Sequence, residues 1–449
     1  MSKIFSIQLD KETILNALIG ALLIVVSVSF RPLIIVAILF CTYIACFSND
    51  DIMPICCLAC WMSLAPVFKT GLDGASFYTY IVVLYALKRL IKNRKIDKDL
   101  FLIVLIYACY LVQGMGIQIA AAIKNSLLPL QLYTMAMCMD YKGLKRVSGF
   151  FILGIIIEST IATFNTLIPN LSDFINRNNA YAVLTYEGYV PQTRFSGLWE
   201  DPNYYSIHLL IGILICILLY SRKEIDSFVF YSVVTVLTFF GAKTLSKSFI
   251  LMLAIALGYA YILFVKNKQY GSVTLMSLVL VILIVLIAAG VIDVFSMIME
   301  RLKEGMTSGE GLTTGRTGLW KDYIMYFYSH PKELLFGGGL QVKIPFRRGP
   351  HNAYLELILF IGIIGSFIFC ISVFNAVSAA WGLPIRGTPM PLLFTLIMYF
   401  FLGMYNSLDL QFELLLVLGY LWLNKSYDLG TEKGKEGDRD RNKEINLNC

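Results

Sequence analysis

The sequence is poor in charge. Only 15% of its 449 residues are Asp, Glu, Lys or Arg, and 57% are hydrophobic, whereas soluble domains carry about 25% charge. Such a chain cannot cover a water-facing surface, which excludes a soluble globular enzyme. Cysteine offers no framework either: of ten, nine lie in or beside apolar runs and the tenth is the terminal Cys449, so none sits in a long external loop. No disulfide scaffold is expected. Cys57 and Cys60 form a CxxC spacing, but they lie with Cys56 inside an apolar run without a second pair or a histidine nearby. Filling of the membrane interior is favoured there over metal or redox chemistry.

What the chain does have is apolar runs, recurring almost end to end near the roughly 20 residues that cross a ~30 Å hydrocarbon core. The first run, 14–30, leads straight into a second beginning at Pro32, so both are expected to be retained rather than cleaved. The pattern predicts an all-α, polytopic transmembrane helical bundle. Helices are expected at 14–30, 32–47, 52–67, 77–87, 100–118, 126–139, 147–167, 204–220, 228–241, 248–265, 272–292, 353–374, 391–404 and 412–423. Some are short enough to be half-helices, giving about 12 to 14 crossings.

Basic residues next to short loops set the orientation. Lys88, Arg89, Lys92, Arg94, Lys95 and Lys98 mark one cytoplasmic loop. Steps of two crossings from it land on Lys142, Lys145 and Arg146, on Arg222 and Lys223, on Lys266 and Lys268, on Arg386, and on the charged tail. The parity closes with both termini in the cytoplasm. The same count divides the chain into N-terminal membrane helices (1–167), a first long external loop (168–203), central membrane helices (204–292), a second long external loop (293–352), C-terminal membrane helices (353–424) and a disordered cytoplasmic tail (425–449). Long loops are the usual seat of function, and these two are rich in aromatics and glycine rather than in the polar residues of disorder. Short helices are expected within them. In the second, Leu319, Trp320, Tyr323, Ile324, Phe327 and Tyr328 align on one helix face that Pro331 ends. Such a helix suits the membrane surface, or packing on the other loop.

The external loops hold Arg194, Arg316, Arg347 and Arg348 with His330 and His351. A guanidinium there suits bidentate capture of phosphate, or else pairs with loop carboxylates. His351 lies between Pro350 and the apolar run that starts at Ala353, at a helix start where the dipole is positive. That field, with Arg347 and Arg348 nearby in sequence, disfavours the imidazolium, so the ring fits either a proton acceptor or a helix cap. His330 reads as a helix-end residue and His208 as a packed one. The acidic pairs Asp97/Asp99 and Asp438/Asp440 fall in cytoplasmic stretches, and neither external loop has a comparable pair, so no metal site is expected on the outer face. The glycine run 337–339 could form an anion nest, though a turn is the commoner use. Charges able to line an ion path are Glu158, Lys243, Lys247, Glu356, Asp409 and Glu413, of which Glu158 is deep enough to need a partner. A transporter would also call for inverted repeats, and no clear internal repeat is present.

Three stretches taken together resemble the O-antigen ligase and Wzy-type O-antigen or capsule polymerase superfamily. They are Arg194-Phe195-Ser196-Gly197 followed by Asp201-Pro202-Asn203; Gly315-Arg316-Thr317 with Trp320, His330-Pro331 and Leu335-Phe336-Gly337-Gly338-Gly339; and His351-Asn352-Ala353-Tyr354-Leu355-Glu356 leading to Gly362 and Gly365. The resemblance implies a glycosyltransferase of the bacterial inner membrane whose site faces the periplasm or cell exterior. Its donor would be an undecaprenyl diphosphate-linked oligosaccharide and its acceptor glycan the next lipid-linked repeat unit, or lipid A core in a ligase. It further implies Arg194 and Arg316 on the donor diphosphate, His351 as general base, and a substrate-binding set of Lys247, Arg347, Arg348, Asn352, Trp320 and Asn203, with no cofactor and no nucleic acid. Chain-length regulator and flippase proteins would be its partners. One departure is Thr244-Leu245-Ser246-Lys247, where many relatives have Ser-Arg, so that Lys247 would stand in as a point charge. A lipid-linked oligosaccharide flippase is the reading from another class.

Overall fold

The computed structural model describes residues 10–50, 52–69, 76–93, 141–178, 183–184, 192–199, 201–221, 223–288, 316–339, 346, 350 and 352–381. The expected helices 100–118, 126–139, 391–404 and 412–423, the tail, and Asp97, Asp99, Asp409, Glu413, Asp438 and Asp440 lie outside these residues. The protein is a helical membrane bundle. Among the described residues four helices are long and apolar enough to cross a membrane, and four more are apolar but shorter.

The first helices are α1 (Lys11–Ser29), α2 (Leu33–Phe47), α3 (Met53–Met62), α4 (Phe77–Asn93) and α5 (Tyr141–Thr163). α1 opens on Asp10, whose side chain accepts from the Glu12 N–H, and the α1–α2 turn falls at Arg31 and Pro32, where proline withholds a donor. α3 is buried along its whole length and packs against α1, α5, α2 and α4. Small residues make those approaches possible, as lipid tails supply no hydrophobic drive between helices. A Cβ on Gly154 of α5 would stand 2.4 Å from the Cys60 carbonyl oxygen of α3. Trp61 of α3 donates its indole N–H to the Ala17 carbonyl of α1 at 2.9 Å. Cys56, Cys57 and Cys60 are free and buried in this packing, as the filling role predicts. Leu22, Leu39 and Phe47 face outward, as a lipid-exposed surface requires.

α5 begins earlier than its apolar run. Its first turns carry Lys145, whose Nζ lies 3.5 Å from a Glu224 carboxylate oxygen and donates to the Glu224 carbonyl, so the helix extends past its apolar stretch to meet a charge. A second buried helix, α7 (Pro202–Ser221), packs against α8 (Ser227–Lys243), α9 (Lys247–Lys266) and α5; α10 (Tyr270–Ala288) follows against α9. α8 and α9 start with side-chain caps, Asp226 accepting from Val229 N–H and Ser246 from Phe249 N–H. Each such cap is worth about 1 kcal/mol. α5 thus touches both buried helices and joins the two halves of the bundle.

Between α5 and α7 the first long loop forms a short 3-10 turn (Asn165–Leu167), α6 (Leu171–Asn178) and a two-residue antiparallel strand pair, Val183–Leu184 with Gln192–Thr193. The strand pair was not expected. Beyond α10 come α11 (Arg316–Ser329), α12 (Pro331–Phe336) and α13 (Ala353–Trp381). α13 differs from the expected continuous helix, because it breaks at Gly362, where φ is 70° and ψ 177°.

Candidate active site

The segment that closes the first long loop is held by the turn between α8 and α9. Arg194 donates from Nε to the Thr244 carbonyl at 2.9 Å and from a terminal nitrogen to Asn203 Oδ1 at 3.0 Å. Next to it, the Phe195 N–H donates to the Lys243 carbonyl at 3.1 Å. Lys243 Nζ stands 4.9 Å over the Phe195 ring and 5.5 Å over Phe239. The turn itself is built by local chemistry: the Thr244 hydroxyl donates to Gly241 O and accepts from Ser246 N–H, Leu245 takes a left-handed φ of 51°, and Ser246 caps α9. Lys243 and Lys247 bracket it. A half-buried guanidinium clamped at two points has its plane fixed before any anion arrives, which suits oriented, charge-assisted hydrogen bonding. Asn203, placed by its own N–H donating to Asp201 Oδ1 at 2.7 Å, serves as one of the clamps.

The second constellation gathers at the start of α13. Trp320, in the second turn of α11, donates its indole N–H to the Pro350 carbonyl at 2.9 Å. Asn352 is buried and caps α13, its Oδ1 accepting from the N–H groups of Tyr354 and Leu355. The cap is therefore Asn352, and the helix-cap role expected for His351 is filled by its neighbour. Tyr323 and Phe327 of α11 are buried against Leu359 of α13, with Phe346 edge-on to Tyr323 at 5.0 Å. The expected single aromatic face is split: Ile324 and Tyr328 are exposed at 57% and 84%. At 3.6 residues per turn the stripe is wider than one contact, so its inner flank packs on α13 while its outer flank stays open. Burial, then the Glu356 carboxylate, pushes the Tyr323 phenol up to about 12. Burial, then the Glu333 carboxylate that accepts its hydroxyl, does the same for Tyr326. Both are neutral donors at physiological pH. His330 ends α11 and stacks on Tyr326 at 4.2 Å, the helix-end position its sequence context predicts.

The glycine run meets the break in α13. Gly337 stops α12 with φ 75°, and the Gly338 N–H donates to the Leu359 carbonyl at 2.8 Å, a carbonyl stranded by the break. A Cβ on Gly337 would lie 2.3 Å from Phe360 O, and one on Gly362 2.3 Å from Leu335 O. The run is a backbone dock rather than an anion nest.

Of the expected site residues, Arg194 and Asn203 share one network, and Lys247 begins the helix directly after the turn that holds them. Trp320 ties α11 to the segment leading into α13, and Asn352 caps α13. Arg316 is the first residue of α11, and its side chain is outside the described set, as are His351, Arg347 and Arg348 altogether. Sequence reasoning did not foresee the Thr244 carbonyl or the Phe195–Lys243 stack. The only sequence signal for them was the odd Thr244-Leu245-Ser246-Lys247 stretch.

Residues 233–370 match the family model of the O-antigen ligase. No curated protein and no solved structure matches the chain. The matched stretch runs from within α8 to within α13. It contains the Thr244 turn, Trp320, Asn352 and the Gly337–Gly362 dock, while Arg194 and Asn203 lie outside it and are tied into it through Thr244 and Lys243. Over that stretch the chain is similar to the O-antigen ligase family, and its apolar helices make it a multi-pass membrane protein.

Proposed function

We propose that the protein polymerises polysaccharide repeat units of an O-antigen, capsule or exopolysaccharide, transferring glycan from an undecaprenyl diphosphate donor to a sugar hydroxyl of the acceptor. The observation that carries the reading is Arg194, clamped on the turn of a family-matched segment with its guanidinium plane set. A diphosphate leaving group is already activated and anionic, so arginines stabilise the charge that develops on it. In this reading Arg194 and Arg316 hold the diphosphate, with Lys247, Arg347 and Arg348 adding positive field. His351, beside the Asn352 cap, removes the proton from the acceptor hydroxyl as that oxygen attacks the anomeric carbon in line; the bond to the diphosphate breaks with inversion. The chemistry is metal-independent. The site faces the periplasm or cell exterior of a bacterial inner membrane, with both termini cytoplasmic and with chain-length regulator and flippase proteins as partners. Trp320 and Asn203 act here by fixing the site's framework.

The test incubates the purified chain with lipid diphosphate-linked oligosaccharide and EDTA, and separately adds a lipid A core acceptor. Elongated lipid-linked glycan, lost in Arg316→Ala and His351→Ala proteins that still insert in the membrane, is the expected result. Glycan on lipid A core instead assigns the ligase reaction, and full-length product in both variants refutes the assigned roles. A lipid-linked oligosaccharide flippase would move the donor across vesicles without lengthening it.

A further inference from the structure

We propose that Glu158 of α5 is the positioning residue for Arg194, anchoring the segment 195–199 from the side opposite the Thr244 turn. Glu158 is fully buried in a membrane-spanning helix, a place where a carboxyl group persists only with a specific use. Its Oε1 accepts from the Leu198 N–H at 3.1 Å. Gly197, one residue earlier, has φ 61°, and a Cβ there would lie 2.4 Å from the same oxygen and 2.7 Å from the Tyr205 ring. The chain therefore turns through the left-handed region to bring its backbone against the carboxyl, which only glycine does without strain. The Trp199 indole lies beside this carboxyl as well.

The next residue of α5 grips the other side of the same segment. Ser159 Oγ shares a 2.5 Å hydrogen bond with Tyr205 Oη, and Tyr205 meets Phe195 edge-on at 5.6 Å. Consecutive residues of one helix thus hold the backbone at Leu198, four residues after Arg194, and the ring of Tyr205, two residues after Asn203 on α7. Arg194 lies at the near end of this segment, with Phe195 N–H and its own Nε on the α8–α9 turn. Two anchors, one on α5 and one on that turn, fix the direction of the guanidinium; one anchor would leave it a hinge. No other use of Glu158 is visible in the mechanism proposed above, where it touches neither substrate nor reacting atoms.

The proposal rests on the functional reading only for the identity of the anion that Arg194 meets. Full-length protein in detergent is compared as wild type, Glu158→Ala and Glu158→Gln, by hydrogen exchange over 194–203 and by donor kinetics with a polyprenyl diphosphate-linked oligosaccharide. Glu158→Ala is expected to speed exchange across 195–199 and to raise donor KM while lowering kcat, about tenfold in kcat/KM together, since a lost buried hydrogen bond misplaces the arginine that holds the diphosphate and stabilises its developing charge. Glu158→Gln keeps an acceptor oxygen for Leu198 and is expected to recover most of both effects. Wild-type exchange and KM in Glu158→Ala would overturn the proposal, as would a Glu158→Gln protein as damaged as the alanine variant. If wild type itself turns over no diphosphate donor, the functional reading fails, and the exchange comparison alone decides the anchor.

Discussion

At the scale of single residues, the site depends on main-chain atoms as much as on side chains. Arg194 is oriented by a carbonyl and an amide oxygen, and its planar fork makes both bonds at once. A lysine at this position carries the same charge but cannot span Thr244 O and Asn203 Oδ1 with a rigid plane. Arg194→Lys is therefore expected to weaken donor affinity roughly tenfold at unchanged acceptor KM; wild-type donor affinity in that protein, measured from initial rates, would show that charge alone suffices. Arg194 was legible in the sequence as a candidate, in a short motif closing a long loop. Its partner was not, because a carbonyl carries no residue signature and Thr244 lies fifty positions away in the chain. Glu158 was half legible: a carboxyl deep in an apolar run must find a donor, but that donor is the Leu198 N–H, which sequence cannot name.

At the scale of elements, α11, α12 and the first half of α13 form one unit. Trp320 ties α11 to Pro350, Tyr326 donates to Glu333 across the α11–α12 corner, and α12 docks its terminal glycine into the break of α13. Most helices were legible from apolar length and punctuation, since Pro, Gly and polar clusters interrupt the runs. The break at Gly362 was not, because a glycine in an apolar run costs only about 1 kcal/mol and is tolerated in many helices. What decides it is Gly337, far off in sequence, whose backbone needs the space. Gly337→Ala and Gly362→Ala each place a Cβ on opposing backbone and demand a φ that alanine resists. Each is expected to lower stability by at least about 2 kcal/mol and to abolish transfer. Gly258, inside α9, has nothing within 4 Å of an added Cβ. Gly258→Ala is expected to be neutral or stabilising by about 0.5 to 1 kcal/mol, and thermal unfolding of the three proteins in the same detergent checks the contrast. Equal melting of all three would remove the dock from the account.

At the scale of the whole molecule, two buried helices, α3 and α7, both pack against α5, and the segment that carries Arg194 is fastened to α5 and to the α8–α9 turn. Charge is scarce in the chain, and two of its uses sit on α5: Lys145 meets Glu224 near one end, while Glu158 accepts from the Leu198 N–H near the other. That economy explains why the fold class was readable from hydropathy alone and the site was not. Hydropathy reports which segments enter lipid; it is silent on which backbone groups meet across them. The central claim, an outward diphosphate site oriented by Arg194, is tested most directly by the equilibrium binding of glycan-free polyprenyl diphosphate and polyprenyl monophosphate to purified wild type and Arg194→Ala. The account predicts that wild type prefers the diphosphate and that the variant loses this preference. Equal affinity for the two lipids in wild type, or an undiminished preference in the variant, would contradict it.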